Sequence, residues 1–274
     1  MLKSVKDIVF GTWGISGAFN DYSLKEIENV IKVALDFGVD TFDSAVVYRH
    51  GEMDGLLNKL LPKDCIISTK IPAIVKPNTQ DPRVDIDSCY PVEYLKESMD
   101  RINQEFAGRR FIVQLHNWHH SWDSEKVLQI LLPYEDDNLL KIGVSVSDDY
   151  NSKYPEGFDM VQSAYNLLNR KHEAYFVKFS GEKWVREVFN HGILSSLVVP
   201  NYSNFDARSK KITPEIVQRF NQLKTDLDVK TNEDLKKAAV EFCAKCEWID
   251  KIVVGFTKSE HVYNFMQLFS DLVS

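Results

Sequence analysis

Short apolar runs alternate along the chain with segments whose apolar residues recur every three to four positions, and this alternation constrains the fold more than any other feature. The apolar runs are IVFGTW (8–13), TFDSA (41–45), CIISTKI (65–71), RFIVQLHN (110–117), KIGVSVS (141–147), DMVQSAYN (159–166), EKWVREVFN (182–190) and KIVVGFT (251–257). They are apolar on both faces, as parallel strands covered on both sides must be. Helical periods cover 23–38, 52–61, 92–106, 124–132, 213–224, 232–246 and 259–269, with a polar helix-like stretch at about 168–180. The first helix has both ends marked. Ser23 and Glu26 form a capping-box pair, and Gly38 stands where a left-handed residue closes a helix. The crossover 148–158 is short with a weak helical signal, and 191–211 reads as irregular. About eight strands, each followed by helical or crossover material, in 274 residues predict an α/β protein of the (β/α)8 TIM-barrel class. No composition break or linker divides the chain, so one domain over 1–274 is expected.

Composition narrows the partners. With 40 acids against 33 bases the net charge is −7, which argues against nucleic acid or an anionic membrane as partner. No run of about 18 apolar residues is present, and MLKSVKDIVFG lacks the apolar stretch of a signal peptide, so a cytoplasmic protein is expected. Cys65, Cys89, Cys243 and Cys246 suggest no disulfide framework. CAKC (243–246) follows Leu235, Ala238, Ala239 and Phe242 at helical spacing, so both sulfurs are expected on one buried helix stripe rather than in a redox or metal site.

A barrel of this class works at the C-terminal ends of its strands, so those ends can be read in order. They carry Thr12 and Trp13, then Asp43 with Tyr48 just beyond, then Lys70, His116, Ser145, Gln162, and Arg186 to Phe189. Adjacent strands lie about 4.8 Å apart, so Asp43, Tyr48, Lys70 and His116 can converge on one rim. A free phenol titrates near pH ~10, and a lysine beside it should lower that value by stabilising the phenolate. Asp43 would hold Lys70, and His116 could donate to the oxygen of a bound carbonyl. The set reads as a metal-free proton-transfer site for carbonyl reduction. Singly, each residue has a plainer reading: a turn acid, a loop aromatic, a snorkelling cation, a rim histidine. Together on three successive strands they do not.

Other motifs fall away. GTWGISG spaces its glycines as G-x-x-G-x-x-G, not as the dinucleotide fingerprint G-x-G-x-x-G. No tyrosine is followed by lysine four residues on, as a short-chain dehydrogenase needs. HNWHH (116–120) crowds three histidines, but the early strand ends offer only Asp43 as a further metal ligand, so no metal is expected.

Over nearly its whole length the sequence resembles the aldo-keto reductase superfamily. The resemblance is carried by GTWGIS (11–16), FDSAVVYRHGE (42–52), STK (68–70), QLHNW (114–118), IGVS (142–145), VQSAYNLL (161–168), GILSS (192–196) and VVGFTKSEHV (253–262). It implies a nicotinamide cofactor, usually NADPH with NADH possible, and hydride transfer to an aldehyde or ketone. By the match Tyr48 is the general acid, Lys70 its pKa modulator, Asp43 the partner of Lys70 and His116 the carbonyl orienter. Thr12, Trp13, Asp43, Ser145, Gln162, Arg186 and Phe189 fall on cofactor positions, with Gly255, Lys258 and His261 in the C-terminal clamp. Trp13, Tyr48, His116 and Trp118 would line the substrate pocket together with the 191–212 loop.

The chain departs from the family where Val146 replaces an asparagine, Glu187 a small polar residue, His261 an arginine and Phe265 an asparagine. Arg186 stands at the ring-stacking aromatic's position. Arg49 and His50 are expected at the pocket mouth, where they could favour a polar or anionic substrate such as a sugar derivative. Two alternatives stand beside carbonyl reduction: an NAD-linked sugar or polyol dehydrogenase working oxidatively, and a cofactor-binding regulatory barrel with little turnover. A monomer or small homo-oligomer acting on a small-molecule carbonyl is the expected state.

Overall fold

The computed structural model describes residues 1–75, 85–147, 156–203 and 206–273. Its strands are β1 (Ile8–Gly11), β2 (Thr41–Asp43), β3 (Ile66–Ile71), β4 (Phe111–Trp118), β5 (Leu139–Val146), β6 (Met160–Ala164), β7 (Glu182–Arg186) and β8 (Lys251–Gly255). They pair in parallel in chain order, and β8 returns to β1, so the sheet closes into a barrel. The predicted (β/α)8 class is observed.

The helices are α1 (Leu24–Asp36), α2 (Met53–Leu60), α3 (Ile86–Cys89), α4 (Val92–Glu105), α5 (Ser124–Leu131), α6 (Glu173–Phe176), α7 (Pro214–Asp226), α8 (Asn232–Ala244) and α9 (Ser259–Val273). α1 begins as predicted: Glu26 N–H donates to Ser23 Oγ at 3.3 Å, and Ser23 N–H donates to Glu26 Oε2 at 2.8 Å. Gly38 ends it with φ +89°.

Alternation along the strands sorts the side chains into two layers. Phe10, Phe42, Ile67, Val113 and Val144 face outward and pack under the helices. Val9, Ile112, Met160, Trp184 and Val253 face inward and plug the barrel axis. Above this plug, toward the C-terminal rim, the inward residues become polar: Asp43, Ser68, Gln114 and Gln162 are all buried. The apolar plug therefore acts as a floor, and the polar layer on it is the base of the site.

Some elements differ from expectation. The helix-like stretch at 168–180 shortens to α6, because Asn166 and Asn169 pair their backbones and commit the segment before it to a turn. α8 ends at Ala244, so Cys243 is buried on it while Cys246 lies beyond its end and is half-buried. No group of three or more potential metal ligands occurs among the described residues. No helix among them is long and apolar enough to cross a membrane. The crossover 148–158 lies mostly outside the described residues.

Candidate active site

The polar layer is organised around Asp43. Lys70 Nζ donates to Asp43 Oδ2 at 2.6 Å and to the Ser44 carbonyl at 2.7 Å. Gln162 Nε2 donates to Asp43 Oδ1 at 2.9 Å, and Gln114 Nε2 reaches the same oxygen at 3.4 Å. Thr12 Oγ1 donates to the Asp43 carbonyl at 2.9 Å. Strand register explains the convergence. Gly11, Asp43 and Ser68 are level across β1–β3, and Lys70 is level with Gln114 across β3–β4. The side chain of Lys70 is 2% exposed, so its ammonium is fixed between carboxylate and carbonyl.

Tyr48 follows β2 in a short turn (Tyr48–Gly51) that carries its ring back over Lys70, with Nζ 5.8 Å from the ring centroid. The expected fall in its pKa is not observed. Burial, then the Asp43 carboxylate, push the phenol above its ordinary value, with Arg186 opposing. Lys70 itself is pushed below its ordinary value by burial, with Asp43 pulling it back. The phenol is thus firmly protonated in this state.

His116 closes the constellation from β4 and, with Tyr48, Lys70 and Asp43, lines a cavity of about 1120 Å³ at the C-terminal rim. Its carbonyl accepts from Tyr90 Oη at 2.5 Å, which anchors the end of the strand. Beyond His116 the alternation breaks. Asn117 has φ +61°, and the β4–β5 register shifts between His116 and Trp118. This bulge turns Asn117 into the cavity and Trp118 outward. Trp118 is 1% exposed and packs edge-on against Trp122 and Phe158, so it does not line the pocket as expected.

The cavity extends from Tyr48 across the ends of β5–β8 to α9. Ser145, Gln162, Arg186, Phe189, Gly255 and His261 all line it, and so does Trp13. Thr12 does not; its hydroxyl is spent on the Asp43 backbone. Nor does Lys258, which stands exposed and offers its carbonyl to His261 N–H at 3.0 Å. Burial, then the Lys258 charge, hold the His261 imidazole below its usual pKa. Arg49 and His50 also lie outside the lining. Arg49 turns toward the Tyr22 carbonyl (3.4 Å) and Glu52 (3.7 Å), while His50 is exposed.

The β7 side is built from charges. Arg186 donates to the Val146 carbonyl at 2.9 Å and pairs with Glu187, and His191 Nε2 lies 3.1 Å from the other Glu187 oxygen. Burial alone would push the Glu187 carboxyl up, but Arg186 and His191 hold it at about 2. The carboxylate is therefore neutralised from within the chain and does not face the cavity as a free charge. Residues sequence reasoning passed over also line the cavity: Asn117, Ser147, Lys236 and Asn264. Of these only Asn117 had a signal, its place beside His116; the others come from helices and loops whose facing no strand-end rule gives.

A segment over the cavity completes it. Arg208 is sandwiched between the rings of Phe19 (3.9 Å) and Tyr202 (4.1 Å) and pairs with Asp206 at 2.6 Å. Tyr202 Oη donates to the His191 carbonyl at 2.6 Å.

The model of the aldo/keto reductase family matches residues 7–271. This chain belongs to that family. Two solved members are similar to it in fold. One is the aldo-keto reductase AKR11C1 of Bacillus halodurans in its holo form (15% identity, TM-score 0.71, 97% of this chain and 89% of that chain). The other is the glycerol dehydrogenase AKR11B4 of Gluconobacter oxydans (18% identity, TM-score 0.69, 96% of this chain and 86% of that chain). No curated protein matches the sequence. As an aldo-keto reductase the chain is an oxidoreductase, of a family that works on carbonyl groups with nicotinamide cofactors.

The lining fits such a cofactor. The cavity exceeds the roughly 300–1,000 Å³ of pockets for drug-sized ligands, which leaves room for a long one. Arg208, Lys211 and Lys236 line it, Arg208 already paired with Asp206 and Lys236 with Glu233. At Gly14 an added Cβ would come within 3.3 Å of the Phe256 carbonyl, which keeps the backbone bare beside the cavity.

Proposed function

We propose that this aldo-keto reductase reduces an aldehyde or ketone to the alcohol, with Tyr48 as proton donor and NADPH, or NADH, as cofactor. The observation that carries the reading is the buried Asp43–Lys70 pair beneath the Tyr48 ring, opening on the cavity at the barrel rim. Held by residues at the ends of β5–β8, a reduced nicotinamide would supply the hydride. Ser145, Gln162, Arg186 and Phe189 would hold its nicotinamide half, and Gly255, His261 and Lys236 the far half. His116 orients the substrate carbonyl by donating to its oxygen. As negative charge develops there, Tyr48 gives up its proton to that oxygen. Lys70, held charged by Asp43, stabilises the phenolate that remains.

The raised phenol pKa means that Tyr48 carries the proton it would give to the carbonyl oxygen. Neutralisation of Glu187 by Arg186 and His191 speaks against a barrel in which that carboxylate repels cofactor. The substrate is a small carbonyl compound, a sugar derivative among the candidates. His116, Asn117 and Ser195 line the cavity and can meet its polar groups, whereas Arg49 and His50 lie outside the lining.

Titration with NADPH and with NADH, followed by nicotinamide fluorescence, tests the reading. Binding of at least one, with turnover of members of an aldehyde, ketone and sugar panel, is expected. Failure to bind either would sink it. Binding without turnover on any substrate, in either direction, would favour the regulatory alternative.

A further inference from the structure

The turn that carries Tyr48 is strained. Arg49, His50 and Gly51 have φ of 51°, 55° and 90° in succession. Non-glycine residues in this region persist only where their surroundings over-determine them. One anchor is visible on the β2 side, where Ser44 N–H donates to the Ser68 carbonyl at 2.7 Å and Val46 N–H to the Lys70 carbonyl at 3.2 Å. The anchor on the other side is Asp54.

Asp54 lies in the first turn of α2, three residues after the strained turn ends. It is buried, and it accepts a hydrogen bond from Thr69 Oγ1 at 2.5 Å. Thr69 is also buried and immediately precedes Lys70 on β3. Alternation sends Lys70 into the barrel and Thr69 out toward the helices. The result is a closed circuit. It runs from the Tyr48 ring over Lys70, back one residue to Thr69, across the hydrogen bond to Asp54, and through six residues of chain to Tyr48. A buried carboxylate is costly to desolvate, and burial indeed pushes the Asp54 carboxyl above its usual pKa, with the Ser44 and then the Thr69 hydroxyl opposing. An apolar residue would close the helix layer at lower cost, so the carboxylate calls for a purpose beyond packing.

We propose that Asp54 is a positioning residue for Tyr48: its hydrogen bond to Thr69 ties α2 to β3 and so fixes the phenol over Lys70. The proposal rests on the reading of Tyr48 as proton donor and deepens it. The Asp54 charge also reaches both groups, raising the pKa of Tyr48 and of Lys70.

The test combines kinetics with a signal that needs no turnover. In protein labelled with [13Cζ]tyrosine, the Tyr48 resonance is assigned by its loss in Tyr48→Phe. Asp54→Ala should shift or broaden that resonance. Asp54→Asn, whose side-chain oxygen can still accept from Thr69, should leave it near its wild-type place. In kinetics Asp54→Ala should lower kcat roughly 100-fold, the scale of a misplaced catalytic group, with KM and cofactor Kd changed less than about threefold. Asp54→Asn should recover most of that loss. If Asp54→Ala does not fold, Thr69→Val breaks the same bond and carries the same expectations. A Tyr48 resonance unmoved in Asp54→Ala or Thr69→Val overturns the proposal. So does an Asp54→Asn enzyme no better than Asp54→Ala. A protein that reduces no carbonyl would overturn the proposed function while the Tyr48 resonance still tested Asp54.

Discussion

The two halves of the barrel rim are built differently. Across β2–β4 and β6 the site is made mostly of inward-facing side chains on strands, with Asp43 bonded to Lys70 and Gln162 inside the barrel and Tyr48 brought over them by the turn after β2. Across β7 and the chain that follows it, the rim is made of neighbours in sequence, Arg186, Glu187 and His191, on a backbone with four positive φ values between 187 and 192. The first half is rigid because the sheet fixes it. The second is held by ion pairs and aromatic contacts that a few substitutions could release. On the proposed function, proton transfer, which needs close placement, falls to the first half, and cofactor entry to the second.

The contrast breaks most visibly at Tyr48. Tyr48→Phe is expected to lower kcat by about 10³-fold or more, with cofactor Kd changed less than about twofold, since only the proton donor is lost. Steady-state kinetics beside a fluorescence titration checks this, and unchanged turnover would remove Tyr48 from the reaction. Lys70→Met should cost roughly 10²-fold in kcat. It should also destabilise the fold by about 3–5 kcal/mol, because Asp43 would stay buried without its cation. Urea unfolding measures the second effect. A stable Lys70→Met protein would show that the two glutamines alone satisfy Asp43.

The rigid half was legible in the sequence because strand ends can be counted. Asp43, Lys70, His116 and Gln162 follow from the alternation and the barrel class without a structure. Trp118 was misplaced by the same rule, since a one-residue bulge at Asn117 reverses the facing of everything after it. The charged half was less legible. Glu187 looked like a repulsive carboxylate, because sequence alone does not tell that its neighbours Arg186 and His191 fold back onto it. Arg49 and His50 looked like mouth residues, yet left-handed backbone turns Arg49 toward Tyr22 and His50 toward water. Proximity to Lys70, visible in the sequence, would lower the Tyr48 pKa, but burial, which the sequence does not show, raises it.

Glu187 offers a pH test of the charged half. Its folded pKa, about 2, lies below the ~4.3 of an unfolded glutamate. Its ionised form is therefore favoured by folding. The resulting stability is fully present above roughly pH 4–5 and is lost as pH falls toward 2. Glu187→Gln should flatten that part of the stability–pH curve relative to wild type. It should also weaken cofactor binding by up to about tenfold, because Arg186 and His191 lose what orders them. Thermal melts between pH 2 and 6 decide the first point. Parallel curves for the two proteins would mean that the ion pairs add nothing to the fold.

The smallest expected effect lies at the outermost contact. Arg208 joins Phe19, from the loop after β1, to Tyr202, from the segment after β7, so one guanidinium bridges the two halves across the cavity. Partly exposed cation–π contacts contribute about 0.5–1 kcal/mol each. Two of them correspond to roughly a tenfold change in how often the segment opens. Arg208→Ala should therefore speed cofactor release by up to about tenfold in stopped-flow fluorescence while leaving the chemical step unchanged. Arg208→Lys keeps the charge but not the planar face that stacks on both rings, so it should fall between the two. A release rate that Arg208→Ala does not change would show that the segment after β7 is held by the Tyr202–His191 hydrogen bond and its own turns, and the bridge would then be decorative. A slowed chemical step would be more consequential, because the division between a rigid catalytic half and a mobile binding half would no longer hold.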